Sequence, residues 1–407
     1  MKVRPETRNA RGETLDRGSS HAGSRPRSLR TDGTNAFARY SMQVRVPRIA
    51  RDVTERNPDY PRAVKDAVER LAAELEDDRA LPAPRPPAAD VAGWTLAHAE
   101  HARETWLAAD WFHAELAFYR ELALRCRFWE DGRDPFAPAK EEELAGARPW
   151  DRLEAALALA GPRDERLFAL LDEVLWANRV DLSYSIAAAR ARVDGDLLVD
   201  DRAAAVARLA TRGASVHVVA DNTGTELALD LALVGAVLED PAARVTLHLK
   251  LEPVFVSDAM PRDVWRLVTR MGERSGAARA LATRIVEAFD ARRLALAPDP
   301  FWSGPRFLWE APAHVLDALR SATIVVCKGD ANYRRVIGDA VWPASASFAE
   351  ACAYVGAPLV AARTMKSDAL VGVPEDVAAR LDASDPKWRI EGGRGVIQTA
   401  IPGAPAG

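Results

Sequence analysis

The stretch that decides the fold is Ser215-Val-His-Val-Val-Ala220, which runs directly into Asp221-Asn222. It is a short β-branched run, typical of a buried strand, and it ends abruptly in a carboxylate and an amide. A helical pattern over residues 223–238 follows at once. A strand that passes into a helix in this way is typical of a parallel sheet with helical crossovers.

The same alternation of strands and helices continues toward the C-terminus. Further strands are predicted at residues 245–251, 322–327 and 358–362, and further helices at 261–271, 277–288 and 332–339. Nearly continuous apolar strands between helices indicate a sheet that is covered on both faces. We therefore predict an α/β fold, a doubly wound, mostly parallel sheet of the Rossmann-like α/β/α type.

The N-terminal half has a different pattern. Over residues 42–209 apolar side chains recur at spacings of three and four, and six of the 11 Trp residues fall there, which indicates an all-α domain. Residues 1–41 carry nine basic and four acidic side chains and few apolar ones. We predict a disordered extension at 1–41, a helical N-terminal domain at 42–209 and an α/β metal-binding catalytic domain at 210–407.

Composition excludes several classes of protein. The 407 residues carry a formal net charge of -4 without a long basic stripe, which argues against a nucleic-acid partner. Three distant cysteines argue against a disulfide framework or thiolate metal site. No apolar run approaches the ~18 to 20 residues needed to span a bilayer. We expect a cytoplasmic protein with no membrane partner, and the oligomeric state stays open.

Three predicted strands are followed by the same kind of polar residue. Asp221-Asn222, Ser257-Asp258 and Lys328-Gly329-Asp330 each stand at or just beyond a carboxyl end, where the ligand crevice of such sheets lies. A single acidic residue in this place is commonly a helix cap. Three together favour a divalent cation, and an oxygen-only ligand set favours Mg²⁺ or Mn²⁺ over zinc.

Anion-binding features adjoin these residues. Thr223-x-x-Glu226 has the spacing of a capping box, and helix amides there would favour an anion beside the metal. Residues 330–335 open a second helix with donors suited to phosphate, and Arg363 and Lys366 place two cations on the same rim. His98 and His101 lack the zincin spacing, so partly exposed helix histidines are favoured over a metal face.

Together these motifs resemble one family. Val219-Ala-Asp221-Asn222-x-Gly224-x-Glu226, Phe255-Val-Ser-Asp258, Lys328-Gly329-Asp330-x-Asn332-Tyr333-Arg334 and Arg363-Thr364-x-Lys366 resemble the metal-dependent damage-control phosphatases, specifically the subfamily related to the acidic-residue methyltransferase proteins. In the helical half, Trp111-x-x-x-Glu115-x-x-x-Tyr119-Arg120 and Leu175-Trp176-x-Asn178-x-x-Asp181 resemble it too, and 396–398 looks like its closing strand. The resemblance covers roughly residues 60–400.

The resemblance implies roles for individual residues. It implies a divalent metal, Mg²⁺ or Mn²⁺ with Co²⁺ or Ni²⁺ as substitutes in vitro, held by Asp221, Asn222 and Asp258. Catalysis would fall to Asp221, Asp258 and Lys366. A small phosphorylated metabolite would be bound by Asp330, Asn332, Tyr333, Arg334 and Lys366, with Glu115 and Arg120 from the helical half. Glu226 matches a position associated with a proposed methyl-donor site.

The implied activity is hydrolysis of phosphomonoesters of small metabolites, with sugar phosphates such as fructose 1-phosphate as the substrate class. Two alternatives stay open. An S-adenosylmethionine-dependent protein carboxyl methyltransferase is disfavoured, because no glycine-rich adenosyl-binding turn follows an early strand. A non-catalytic sugar-phosphate-binding protein is disfavoured by the intact set of acidic and cationic residues. Spacing does not distinguish water from a carboxylate as the nucleophile.

Overall fold

The computed structural model describes residues 25–177 and 195–403. The first range is helical, and a π-helical turn, Ser41–Arg45, joins its first two helices. Its helices are α1 (Ala36–Tyr40), α2 (Val46–Arg56), α3 (Arg62–Glu76), α4 (Val91–His98), α5 (Trp111–Arg125), α6 (Phe128–Asp131), α7 (Ala137–Ala145), α8 (Arg148–Leu157) and α9 (Arg163–Ala177). None of the described helices is long and apolar enough to cross a membrane.

The second range alternates strands and helices, as the sequence predicts. Its elements are β1 (Leu197–Asp200), α10 (Arg202–Leu209), β2 (Ser215–Val219), α11 (Thr225–Val237), β3 (Arg244–Leu249), α12 (Pro261–Glu273), α13 (Gly276–Asp290), β4 (Leu294–Pro298), α14 (Pro300–Ser303), α15 (Ala313–Arg320), β5 (Ile324–Lys328), α16 (Asp330–Ile337), α17 (Phe348–Cys352), β6 (Leu359–Thr364), α18 (Glu375–Ser384) and β7 (Gly395–Ala400). Short 3₁₀ turns lie at Leu308–Glu310 and Ala353–Val355.

The strands form one sheet in the order β1-β7-β6-β5-β2-β3-β4. Strand β7 runs antiparallel to β6, and every other neighbouring pair is parallel. The prediction of a mostly parallel, doubly wound sheet is therefore confirmed. The chain moves outward from β2 through β3 to β4 and then restarts beside β2 with β5, so the strand order reverses between β2 and β5. A crevice opens at the carboxyl ends of strands at such a reversal.

Both faces of the sheet are buried. Val218 and Val326, neighbours in register on β2 and β5, pack into the apolar cluster that includes helices α8 to α13. Val219 and Val325 point the other way, into the cluster that includes α2, α3 and α5. This alternation follows from the two-residue period of a strand, and it explains why the strands are apolar almost throughout.

The layer against the sheet begins earlier in the chain than residue 210. Helices α8 and α9 pack on α11, and α9 also contacts β6 and β7. Strand β1 and helix α10 precede residue 210 as well. Part of the range 42–209 therefore belongs to the α/β layer, and the rest forms the helical region. The sequence does not predict this division, because an amphipathic pattern indicates that a helix packs against a core but not which element it packs against.

Part of the predicted disordered extension is ordered. Leu29 is fully buried, its N–H donates to the Asp339 carbonyl at 2.8 Å, and its carbonyl accepts from the Trp111 N–H at 2.9 Å. Arg30 forms ion pairs with Asp110 and Glu104. The expectation of disorder is wrong for residues 28–41, because its few apolar side chains are inserted into the helical core. Residues 1–24 lie outside the described residues, and so do Asn178 and Asp181 of the motif that begins at Leu175.

We expect Leu29→Ala to lower the free energy of unfolding by about 2–4 kcal/mol, since it removes a fully buried side chain from a packed core. Chemical denaturation measures this loss. Arg27→Ala is the control, because the Arg27 side chain is 67% exposed and its removal should change stability by less than about 0.5 kcal/mol. Equal stability of Leu29→Ala and the unaltered protein would contradict the packing described.

Candidate functional site

The turns that follow β2 and β3 are bound to each other. Asn222 and Asp258 form an isolated antiparallel bridge. The Thr223 N–H donates to the Ser257 carbonyl at 2.7 Å, and the Ala259 N–H donates to the Asp221 carbonyl at 2.8 Å. Backbone pairing therefore brings Asp258 to Asp221 and Asn222, from which it lies 36 or more positions away in the chain.

The side chains of these residues are buried and oriented. Asp221, Asn222 and Asp258 are exposed by 4%, 5% and 1%. The Asn222 amide donates to Asp221 Oδ2 at 3.0 Å and to Glu226 Oε1 at 2.6 Å, and its Oδ1 accepts from the Ser257 hydroxyl at 2.7 Å. Hydrogen bonds on both ends of this amide hold it in one orientation.

The donor set suits a hard divalent cation. Two carboxylates and one amide provide only oxygen ligands, which Mg²⁺ and Mn²⁺ prefer, and water or a bound ligand would complete the coordination. Within residues 25–177 and 195–403 no group of three or more His, Cys, Asp or Glu side chains has the arrangement of a metal site.

Two buried lysines accompany the carboxylates, and sequence reasoning gave neither a role. Lys250 Nζ lies 3.3 Å from Asp258 Oδ2 and donates to Asn332 Oδ1 at 2.9 Å. Burial lowers the pKa of Lys250. Lys328 Nζ lies 3.0 Å from Asp230 Oδ1 and 3.7 Å from Glu226 Oε2. Each of these lysines stands at the end of an apolar strand, and this position is the sequence feature that could have indicated a place in the crevice.

Charge compensation differs between these two lysines. Burial would lower the pKa of Lys328, but the carboxylates of Asp230 and Glu226 raise it above its ordinary value. These carboxylates therefore favour the ammonium form of Lys328, while burial also raises the pKa of Asp230 against the opposing effect of the Lys328 charge. The positive charge of Lys328 balances Glu226 and Asp230 on the first turns of α11. Of these two, Glu226 also accepts a hydrogen bond from Asn222.

The predicted capping box at 223–226 is wrong. Helix α11 begins at Thr225 with Gly224 as its N-cap, and no capping side chain comes from the turn itself. Glu226 instead accepts from Asn222, and Glu143 of α7 accepts from the Thr225 N–H at 2.9 Å. A carboxylate from the helical half thus occupies the helix terminus at which we expected an anion.

Asp330 and Arg363 organise the turn that carries Lys366. Asp330 Oδ1 accepts from Arg363 Nε at 2.7 Å, from the Lys366 N–H at 3.1 Å and from the Ser367 hydroxyl at 3.1 Å. Arg363 also donates to the Ser367 carbonyl. Arg363 is fully buried and Lys366 is only 1% exposed, so the expectation that both are cations on an exposed rim is wrong.

The side chains of Asn332 and Tyr333, both predicted to bind substrate, make internal contacts. The Asn332 amide donates to the carbonyls of Ala220 and Lys328 at 3.0 and 2.8 Å, so it links the ends of β2 and β5. The Tyr333 hydroxyl lies 2.9 Å from Gln398 Oε1 on β7. Neither side chain is more than 1% exposed. Their binding of substrate stays a prediction, and their observed contacts hold the crevice together.

The predicted helical-half residues lie in two separate buried ion clusters. Glu115 accepts from Arg334 Nη1 at 2.9 Å and pairs with Arg45, while Arg334 also pairs with Asp339 at 2.8 Å. Arg120 on the same helix pairs with Asp90 at 3.0 Å. The structure therefore brings Glu115 and Arg334 together, away from Arg120. All three are at most 2% exposed, and a role for them in substrate binding stays a prediction.

The histidines considered as a metal face form a stack. The rings of His101 and His113 lie 3.9 Å apart, and His98 lies 5.9 Å from His113. Burial and the two neighbouring rings lower the pKa of His113 to about 2, so it stays neutral. His101 pairs with Glu104 at 2.6 Å.

Gly329 allows Asp221 to reach its position. It has φ +79°, and a Cβ built on it would lie 1.9 Å from Asp221 Oδ2. Both the left-handed backbone and the close approach exclude a side chain here. The glycine of the Lys-Gly-Asp motif therefore makes room for a predicted metal ligand on the neighbouring strand.

We expect Gly329→Ala to displace the Asp221 carboxylate and to weaken Mn²⁺ binding by about tenfold or more, in addition to a backbone penalty of about 1–3 kcal/mol. Titration calorimetry with Mn²⁺ and chemical denaturation measure the two effects. Gly272→Ala is the control, because a Cβ at Gly272 meets no atom within 4 Å. Unchanged Mn²⁺ affinity in Gly329→Ala would show that Asp221 is not a ligand.

Comparison with known proteins agrees with this geometry. The family model of the damage-control phosphatase ARMT1-like domain matches residues 39–381. Damage-control phosphatase ARMT1 of Danio rerio is 25% identical over 436 residues, which covers 93% of this chain and 97% of that protein. The protein of the same name from Mus musculus is 29% identical over 327 residues, covering 72% of this chain and 74% of its own length.

A solved structure, that of a DUF89-family protein from Pyrococcus horikoshii, aligns with a TM-score of 0.48 at 14% identity. The alignment covers 88% of this chain and 97% of that chain. The match of the family model is decisive, because it spans most of the chain and includes all the turns of the crevice. The chain belongs to the damage-control phosphatase ARMT1-like family.

Proposed function

We propose that this protein is a divalent-metal-dependent phosphatase that hydrolyses phosphomonoesters of small metabolites, with sugar phosphates such as fructose 1-phosphate as the substrate class. Membership of the family implies phosphatase activity. The observation that carries the metal dependence is the pairing of the two turns bearing Asp221, Asn222 and Asp258 at the reversal of strand order. We also propose a cytoplasmic setting, with neither nucleic acid nor membrane as a partner.

Asp221, Asn222 and Asp258 would hold the cation. A bound Mg²⁺ or Mn²⁺ supplies charge stabilisation to phosphate oxygens and lowers the pKa of water. The protein's part is to hold buried oxygens in a fixed arrangement, so that little reorganisation is needed during the reaction. The hydrogen bonds of Asn222 and the backbone pairing of the turns provide this rigidity.

The phosphate would be bound by groups at the ends of β5 and β6. Helix α16 starts at Asp330 directly after β5, so the positive end of its dipole faces the carboxyl edge of the sheet. Lys366 lies in the turn after β6, and Asp330 and Arg363 fix the backbone of that turn. We assign Lys366 the neutralisation of a non-bridging phosphate oxygen, with water as the favoured nucleophile.

Phosphate release tests the metal-dependent activity. We expect hydrolysis of a panel of sugar phosphates with Mn²⁺ or Mg²⁺, and its loss with a chelator. Asp258→Asn removes one ligand charge at constant size and should weaken Mn²⁺ binding by at least about tenfold, with most turnover lost. Asp66→Asn, at an exposed site on α3, should behave as the unaltered protein. Full turnover of Asp258→Asn after exhaustive chelation would refute metal dependence.

A separate prediction isolates phosphate binding from metal binding. Lys366→Met keeps the aliphatic length and removes one charge-assisted contact, for which about 1.5–3 kcal/mol is typical, so kcat/KM should fall roughly ten- to hundredfold. Mn²⁺ affinity, measured by calorimetry, should stay within about twofold. Lys387→Met changes an exposed lysine and serves as control. Loss of metal with normal hydrolysis at excess metal would assign Lys366 a different role.

A further inference from the structure

Helix α7 of the helical half contacts the polypeptide around both turns of the candidate metal site. Two of its side chains, Lys140 and Glu143, are three residues apart and so share one face of the helix. Lys140 reaches the turn that follows β3, and Glu143 reaches the start of α11, just after the turn that follows β2. One short helix is therefore bonded to both halves of the candidate metal site.

Lys140 binds the backbone of a predicted ligand. Its ammonium lies 2.8 Å from Asp263 Oδ2, 3.0 Å from Asp134 Oδ2 and 3.2 Å from the carbonyl oxygen of Asp258. An ammonium has three N–H donors, so these three acceptors use all of them. Asp263 also accepts from the Met260 N–H at 2.9 Å, which places the start of α12 in the same network. With Lys140 only 1% exposed, the network is shielded from solvent.

Glu143 fixes the other turn. Its Oε1 accepts from the Thr225 N–H at 2.9 Å and from the Thr225 hydroxyl at 2.8 Å. The carboxylate lies so close over Gly224 that a Cβ there would be 2.0 Å from Glu143 Oε2. A carboxylate at a helix N-terminus is favoured by the free amides and the helix dipole. This contact therefore fixes the chain three residues after Asn222.

We propose that α7 is a clamp, in which Lys140 and Glu143 are positioning residues that set the separation of the Asp258 turn from the Asp221–Asn222 turn. The inference rests on the proposed metal site and adds a helical-half contribution to it. Partners of ligating groups tune metal affinity by orienting those groups. Here the two side chains act through the backbone. Lys140 binds the carbonyl oxygen of Asp258, and Glu143 binds the N–H of Thr225 at the start of α11.

The same helix contains a matched control. Glu142 is adjacent to Glu143 and carries the same charge, but its side chain is 70% exposed and pairs with Arg56 on the surface. Its hydrogen bond and ion pair are both with Arg56, which belongs to neither turn. Changes to Glu142 and Glu143 therefore alter net charge and helix composition equally, and they differ in contact with the site.

The test uses the full chain and Mn²⁺ alone as the probe. We expect Glu143→Ala to weaken Mn²⁺ binding about tenfold by calorimetry, and Glu142→Ala to leave it within about twofold. Glu143→Gln keeps an acceptor for the Thr225 N–H and should recover part of the loss. Lys140→Met should weaken binding at least as strongly as Glu143→Ala. If it does not fold, the partly exposed Glu143 position still decides the outcome.

The Mn²⁺ affinity distinguishes two roles for Glu143: positioning the turns of the metal site, or only attaching the helical half to the sheet. A docking contact would lower the melting temperature of metal-free Glu143→Ala without changing the Mn²⁺ affinity of the folded protein, and that result would overturn the clamp while leaving the metal site intact. Absence of Mn²⁺ binding by the unaltered protein would overturn the proposed metal site and the clamp with it. Weaker binding by Glu143→Ala, restored in part by Glu143→Gln, supports the clamp.

Discussion

The structure depends on two backbone hydrogen bonds, from Thr223 to Ser257 and from Ala259 to Asp221. They bring two buried aspartates to one place, and like charges in a poorly solvated site repel each other strongly. The protein offsets this with buried cations at fixed positions. Lys250 lies 3.3 Å from Asp258, and Lys328 balances Glu226 and Asp230 beneath Asn222. A divalent cation held by Asp221, Asn222 and Asp258, as proposed, would add to the same compensation.

Most of the fold could be predicted from the sequence, because β2, β3, β5 and β6 are apolar runs between helical patterns. Strands β1 and β4 were missed for a physical reason. They lie at the two edges of the sheet and pair on one side only, so their side chains are mostly half-buried or exposed. An edge strand of this kind lacks the continuous apolar run by which the central strands are recognised.

The candidate site was predicted less completely. Residues that follow strands could be found by position alone, since the carboxyl ends of parallel strands meet at one edge. The side chains that bind these residues from other parts of the chain could not be found in this way. Glu143 lies 82 positions from Thr225, and Arg334 lies 219 positions from Glu115, so nothing in the local pattern distinguishes these side chains from solvated charges. In the run Lys140-Glu-Glu-Glu143 the first and last residues reach the site and the middle two face the surface.

The motifs contain two kinds of residue: those predicted to bind the metal or the substrate, and those whose contacts hold the first kind in position. In the Lys-Gly-Asp-x-Asn segment, Gly329 admits Asp221, Asp330 binds the turn that carries Lys366, and Asn332 links the ends of β2 and β5 to Lys250. These three residues contact groups at the ends of different strands, although they come from one turn and the start of one helix. We expect such a segment to tolerate little change even where no side chain meets a substrate, because each member contacts a group at the end of at least one other strand. A residue of this motif can therefore be required for the geometry of the site without contacting a substrate, as the internal hydrogen bonds of Asn332 and Asp330 show.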